Sequence, residues 1–316
     1  MKKFMKTCAI LAAIMLALGI AMTLAAGTVR GSAMISEVVE SVTGGRLHVN
    51  IGNWKLPWGI FWKDGWFYDL DASKVYDGSH QIMQGDVSEY SLGSDVKSLE
   101  IEIGGYYFKT AASPDDSFHL STENADKFQC YVESGVLHLK AVNAGIIHFG
   151  RANRKTITLY IPEGQYLGKV ELELGAGQAT LENLEAGQVS MEVGAGQVVA
   201  KNIRVGELEI SVGAGQMELS GMQVDVLEAE VGMGELVCEG SIQRRASLEC
   251  GMGNMELTLA GRQQDFNYQL EVAAGNLTLG ASSYSGLAQE RDIQNGADKN
   301  IEIECAMGNV AILFKE

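Results

Sequence analysis

The first residues that could do chemistry are the glycines of a short motif, GAGQ, at Gly175–Gln178. Glycine-rich loops bind phosphates through backbone N–H groups when a helix N-terminus lies behind the loop. A dinucleotide fingerprint needs a third glycine, but Ala179 and Thr180 follow this motif. The segment Gly164–Lys169 has one residue too few for a Walker loop, and Val170 replaces the Ser or Thr. We therefore expect the glycines to have an architectural role.

Groups for acid–base, nucleophilic or metal chemistry show no recognisable pattern. The sequence contains no HExxH, no G-x-S-x-G elbow and no Cys/His spacing typical of zinc, and its histidines are scattered at His48, His80, His119, His138 and His148. We therefore predict no catalytic residue, no cofactor and no metal site. A β-helical enzyme acting on a cell-wall polysaccharide stays an alternative, because such enzymes assemble carboxylates across rungs without a sequence signature.

Composition and charge restrict the partners. The net charge of −16 and pI of about 4.8 disfavour nucleic acid and anionic lipid headgroups, and leave cations and neutral or basic molecules. Of the 316 residues 38 are glycine and 3 are proline, which indicates many tight turns joined by regular structure.

A repeat explains the glycines. The first glycine of successive GxG motifs recurs every 19 residues, through GAGQ, GAGQ, GAGQ, GMGE and GMGN, and looser copies follow at Ala273–Asn276 and Ala306–Asn309. We interpret both glycines of each motif as corner residues: Gly175, Gly177, Gly194, Gly196, Gly213, Gly215, Gly232, Gly234, Gly251 and Gly253.

Before each corner, apolar residues alternate with Glu or Ser, as in VELEL at Val170–Leu174, which predicts strands with one buried face. Each repeat would hold two short strands and two turns, the second turn at Asn183, Asn202, Gly221 or Gly240. Stacking such units buries a continuous core and aligns like residues into ladders. The ladders would be Gln178, Gln197, Gln216, Glu235 and Asn254, and Ala176, Ala195, Ala214, Met233 and Met252.

The outward positions of these strands form an acidic face. Calcium could bridge its carboxylates, and a solvated face that prevents sheet aggregation is the other interpretation. The residues are Glu171, Glu173, Glu192, Glu209, Glu228, Glu230 and Glu249.

The cysteines fit the apolar columns of the repeat. Cys250 and Cys305 take the place of Val193 and Val212, and Cys238 takes that of Leu181. We expect buried free thiols at these positions, because cysteine acts as a small hydrophobe in cores.

The segments LEIEIG, TITLYIPEG and VELELGAGQATLENL together resemble a bacterial adhesin-like family of unknown function, the toast-rack domains. The resemblance extends from about Val96 to the C-terminus. It implies an all-β repetitive fold on the extracytoplasmic side of an anchored protein, often in envelope-stress contexts, and it supplies no catalytic residues.

The N-terminus indicates a membrane anchor. Lys2, Lys3 and Lys6 precede an uncharged apolar run, Cys8–Ala26, long enough to span a bilayer. The lysines place the N-terminus in the cytoplasm and the rest of the chain outside. Secretion after cleavage near Ala25 is the alternative, since small residues occur there.

All four tryptophans, Trp54, Trp58, Trp62 and Trp66, lie in one short segment. Asp64–Gly65 predicts a hairpin of Ile60–Lys63 and Trp66–Asp69. The rings could cap one end of the repeat array or form an interaction surface.

These features predict an anchor at 1–29, a juxtamembrane and Trp-rich segment at 30–92 and an all-β solenoid at 93–316, with regular rungs at about 165–260. The expected function is non-catalytic binding or scaffolding at the cell envelope, with an envelope protein or cell-wall ligand as partner. The alternative is an envelope-stress sensor with a protein partner.

Overall fold

The computed structural model describes the backbone of residues 60–63, 66–69, 80–142, 154–285 and 288–315, with side chains from residue 80 onward. The chain divides into two units, Met1–Asp71 and Ala72–Glu316. Within the described ranges the regular structure is strand, apart from a 3₁₀ turn at Gln263–Asp265, so the predicted all-β class is confirmed. No helix of these ranges has the length and apolarity of a membrane span. The predicted anchor, residues 1–29, lies outside them.

In the first unit, β1 (Ile60–Lys63) pairs antiparallel with β2 (Trp66–Asp69) at the predicted bounds. The second unit begins with β3 (Met83–Gln84), β4 (Tyr90–Gly93), β5 (Ser98–Gly104), β6 (Tyr106–Ala112), β7 (Phe118–Glu123), β8 (Lys127–Glu133), β9 (Val136–Val142), β10 (Thr156–Ile161) and β11 (Tyr166–Leu174). It continues with β12 (Gly177–Val193), β13 (Gln197–Val212), β14 (Gln216–Val231), β15 (Glu235–Cys250), β16 (Asn254–Ala260), β17 (Phe266–Val272), β18 (Asn276–Leu279), β19 (Ser282–Ser285), β20 (Gln289–Ile293), β21 (Lys299–Cys305) and β22 (Asn309–Lys315).

The four central strands, β12 to β15, stack in parallel with the register that the repeat predicts. Gln178 pairs with Gln197 and Val193 with Val212, so a residue lies beside the one 19 positions further on. The exception is Met222–Val224 of β14, which pairs with β15 at an offset of 18 between two register shifts. Each rung, however, is one strand of 16 or 17 residues rather than two short ones. The chain still bends at three of the four predicted positions, because Asn183, Asn202 and Gly221 have positive φ. The fourth, Gly240, does not have positive φ and pairs with Met222 at a register shift. Hydrogen bonding to adjacent rungs continues on both sides of this bend.

The corner between rungs leaves little space for a side chain at the second glycine. A Cβ atom on Gly215 would overlap the carbonyl oxygen of Gly196 and approach Val193 Cγ1 to 2.7 Å. The same overlap recurs one rung further on, between Gly234 and Gly215. The middle residue points outward instead, which is why Ala or Met occupies it.

The core is formed by the inward side chains of the rungs and is apolar in the central rungs, whereas buried polar residues such as Gln129 and Asn267 occur in the end strands. Inward residues of the strand that precedes each corner, such as Val193, Val212 and Val231, are fully buried. The thiols of Cys238, Cys250 and Cys305 are free and buried, as predicted from their columns, and Cys130 is also free and buried.

Both ends of the stack reverse the order in which strands occur in the chain. At the C-terminal end β21 and β22 stack directly on β15 and β16, and the earlier strands β17 and β18 lie outside them. At the N-terminal end β5 and β6 are the inner pair, and the later strands β9 and β10 lie outside. Short antiparallel strands cover each outer pair: β20 and β19 at one end, β8 and β7 at the other. The parallel edges are thereby paired within the chain, which limits edge-to-edge association.

Candidate binding face

The strand segments before the corners present two columns of carboxylates on one surface, which we call the acidic face. Pairing runs in the order β5, β11, β12, β13, β14, β15, β21, β17 and β20. Column one contains Glu100, Glu171, Ser190, Glu209, Glu228, Ser247, Glu302, Gln269 and Asp292. Column two contains Glu102, Glu173, Glu192, Ser211, Glu230, Glu249, Glu304, Glu271 and Glu290.

Column one is partly neutralised by cations at its margin. Arg245 Nη2 lies 2.9 Å from Glu228 Oε1, and Lys169 forms an ion pair with Glu171. The hydroxyl of Ser190 donates a hydrogen bond to Glu209 across 3.3 Å. These contacts reduce repulsion along this column.

Column two ends in five consecutive glutamates, of which Glu290 lies on the antiparallel strand β20 and Glu230, Glu249, Glu304 and Glu271 lie on adjacent parallel strands. Among the described residues, no Lys, Arg or His forms an ion pair with any of these four, and Glu304 Oε2 is buried without a hydrogen-bond partner. The backbones of adjacent strands lie about 4.8 Å apart, so glutamates in register are near enough for their carboxylates to repel each other. This stretch therefore combines adjacent like charges with the lack of a described cationic partner.

The pKa values in this stretch are shifted in the direction that repulsion and burial require. Burial raises the pKa of Glu230. Burial, with the charges of Glu230 and Glu302, raises the pKa of Glu249. Burial, with the charges of Glu249 and Glu271, raises the pKa of Glu304. Each shift means that the ionised form is less favourable here than in water.

A cationic and aromatic border ends the acidic face on β9. Lys140 Nζ lies 2.7 Å from Glu102 Oε1, and His138 Nδ1 contacts Glu100 Oε2. Burial opposes the charge on Lys140, but its hydrogen bond with Glu102 prevails and the pKa of Lys140 is raised. Tyr131 stacks on His138 at 4.8 Å between ring centroids. Column two thus ends, on β9, beside the positively charged side chain of Lys140.

The arrangement suits an extended cation better than a single metal ion. Nine strands at about 4.8 Å give a face roughly 40 Å long. Its carboxylates run in parallel lines instead of converging, and within the described part of the chain no three His, Cys, Asp or Glu side chains are placed to hold a metal ion. A chain carrying several Lys or Arg residues could pair with one carboxylate per rung.

The structure brings the predicted glutamates of the acidic face together and extends the columns at both ends. Glu100, Glu102, Glu302 and Glu304 were not among the predicted members, although LEIEIG and IEIEC carry the same alternation. Of the candidate interaction residues, Trp54 and Trp58 lie outside the described residues. Trp62 and Trp66 lie in β1 and β2, of which only the backbone is described.

Comparisons with known proteins agree with this fold at the level of one domain. A model of the Toastrack DUF4097 family matches residues 122–236. No curated protein matches the chain.

Several solved structures are similar to the chain at low identity. A "putative adhesin" from Bacteroides fragilis shares 10% identity and a TM-score of 0.39, covering 74% of this chain and 97% of that one. A "putative cell adhesion protein" from Clostridium sporogenes shares 13% identity and a TM-score of 0.30, covering 75% and 100%. A "putative lipid binding protein" from Parabacteroides distasonis shares 15% identity and a TM-score of 0.38, covering 73% and 96%. Residues 122–236 of the 316 are therefore similar to the Toastrack DUF4097 family.

Proposed function

We propose that this chain is a non-catalytic binding protein of the cell envelope. Its N-terminal segment anchors it in the membrane, and a β-solenoid domain outside the cytoplasm presents the acidic face to a basic segment of an envelope protein. The observation that carries the proposal is the uncompensated stretch Glu230, Glu249, Glu304 and Glu271 on adjacent strands.

The energetic argument is that this stretch costs stability that the fold could avoid. Like charges directly opposite each other on a sheet are destabilising by a few tenths to about 1 kcal/mol. A solvated face needs only polar residues, and the same chain alternates charge signs elsewhere. Sequence choices that break a local rule without structural gain are expected mainly at functional sites. A basic partner would supply the missing counter-charges along the stretch.

Binding of a synthetic oligolysine peptide to the full-length, detergent-solubilised protein tests the proposal. We expect Glu230→Gln, Glu249→Gln and Glu304→Gln together to weaken binding at least about tenfold. The matched control, Glu182→Gln with Glu185→Gln and Glu239→Gln, changes the net charge equally on another surface and should leave affinity nearly unchanged. Equal losses in both variants would mean that only net charge matters and would contradict a specific face, as would no loss in either.

The anchor has a separate test. Fractionation of cells, followed by N-terminal sequencing of the protein, should find the chain in the membrane fraction with its N-terminal segment intact. A chain that starts near residue 27 in the soluble extracytoplasmic fraction would contradict the anchor but not the acidic face.

A further inference from the structure

Three methionines occupy the outward corner position on three successive rungs. The backbone N–H of Met233 donates to the carbonyl of Gly213, that of Met252 to Gly232 and that of Met307 to Gly251, at 2.7, 2.8 and 2.7 Å. These bonds place Met252 between Met233 and Met307 in one ladder. Corner residues of neighbouring rungs are separated by about 4.8 Å, the spacing of paired strands.

The methionines of this ladder are partly or largely exposed, and an alanine lies on either side of them in the ladder. Met233 is 46% exposed and Met307 is 51% exposed, while Met252 is half-buried between them. Ala214 precedes the three methionines in the ladder and Ala274 follows them. Alanine is therefore sufficient for the corner, and folding does not explain why three thioethers lie side by side on the surface.

Two further sulfur atoms lie beneath the same corner but face the core. Cys250 and Cys305 pair in register, and their thiols donate to the carbonyls of Gly253 and Gly308 at 3.4 and 3.2 Å. They are 0% and 1% exposed, whereas Met233 and Met307 are exposed and Met252 is half-buried. The thiols therefore belong to the core, and the accessible soft ligands are the three methionines.

We propose that Met233, Met252 and Met307 form a three-thioether site for a soft monovalent cation, Cu(I) or its analogue Ag(I). Thioethers select soft ions of this kind over hard ones such as magnesium or calcium. Methionine has three rotatable bonds, so three sulfur atoms on adjacent rungs can converge on one ion without backbone movement. Met252 and Met307 lie beyond the residues matched to the Toastrack family, and the proposal is independent of the acidic face.

Titration of the full-length protein with Ag(I) tests this site, with ε-methyl NMR signals of 13C-labelled methionine as the readout. Of the 13 methionines in the sequence, the signals of Met233, Met252 and Met307 should move together and stop moving at one equivalent. Replacing any one of them by alanine should weaken binding at least about tenfold, as expected for loss of a direct ligand. Alanine is native to this ladder at Ala195 and Ala214, so these variants should fold.

A second variant separates thioether from thiol binding. Cys250→Val with Cys305→Val introduces the residue that the same column carries at Val212 and Val231, and it should bind Ag(I) as tightly as the wild type. The proposal is overturned if the three methyl signals do not move, if the methionine-to-alanine variants bind normally, or if the valine variant loses binding.

Discussion

The acidic face and the surface around the second bend of each rung, which we call the ion-paired surface, are built from the same rungs. Carboxylates lie beside carboxylates on the first and beside cations on the second. On the second surface Arg204 Nη1 lies 2.7 Å from Glu185 Oε1, one rung away. Lys201 stands beside Glu182, and Arg244 faces Asp225 at 3.9 Å. On the acidic face, by contrast, Glu249 stands between Glu230 and Glu304.

This difference shows what a 19-residue register does to charge. Stacking in register places equivalent positions side by side, so a repeated glutamate repels its own copies. Substituting a cation in one rung, as at Lys201 and Arg204, converts repulsion into attraction. Such ion pairs occur on the second surface and at the margins of the acidic face, but not at Glu230, Glu249, Glu304 and Glu271. The uncompensated stretch is therefore not an inevitable result of the architecture.

The largest effect is expected from a substitution that disturbs the register on which both surfaces depend. Gly215→Ala forces a Cβ into the backbone of the preceding rung, and we expect a loss of about 2–4 kcal/mol in the free energy of unfolding. Urea denaturation of the full-length protein measures it. Ala214→Ser, at the exposed neighbouring position, is the control and should change stability by less than about 0.5 kcal/mol. Equal stability of Gly215→Ala and the wild type would contradict the close packing of the corner.

Charge reversal should have opposite signs on the two surfaces. Glu249→Lys places a cation between two glutamates and should stabilise the domain by about 0.2–1 kcal/mol, whereas Arg204→Glu should destabilise it by a similar amount. Thermal unfolding of both variants at low salt measures the contrast. A destabilising Glu249→Lys would show that the acidic column is not repulsive.

The pH dependence of stability distinguishes the surfaces further. The folded-state pKa values of Glu230, Glu249 and Glu304 lie above the ordinary value of 4.5. Their contribution is fully present below that value and is lost as pH rises through the raised pKa values. The wild type should therefore lose stability as pH rises above 4.5, relative to the variant with glutamine at all three positions. The glutamine control on the ion-paired surface should not reproduce this relative change.

Salt should produce the smallest effect. At 1 M salt the screening length falls to about 3 Å, which weakens repulsion on the acidic face and attraction at Arg204 together. The melting-temperature differences of Glu249→Lys and Arg204→Glu from the wild type should both shrink towards zero. Differences that persist at high salt would assign them to packing instead of charge.

The regular part of the fold could be predicted because its determinants are local in sequence. The GxG spacing gave the register, the alternation gave the buried columns, and Asn183 and Asn202 marked the bends. The length of the strands was predicted less well, because pairing with two neighbouring rungs carries the strand through a bend that would end an isolated one.

The inverted ends could not be predicted from these signals. The copies AAGN and AMGN look alike, and only non-local pairing places Met307 next to Met252, with Ala274 outside. The acidic face also depends on this non-local pairing. Glu304 follows Glu249 in column two only because β21 stacks on β15, although 55 residues separate them in the sequence.

The most direct test of the account is an NMR titration of the carboxylate carbons of Glu230, Glu249 and Glu304 in the full-length protein, with and without oligolysine. We predict raised pKa values in the free protein and a return towards the ordinary range when the peptide is bound, because the peptide supplies the missing positive charges. Ordinary values in the free protein, or raised values that the peptide does not change, would contradict the assignment of this stretch as the binding face.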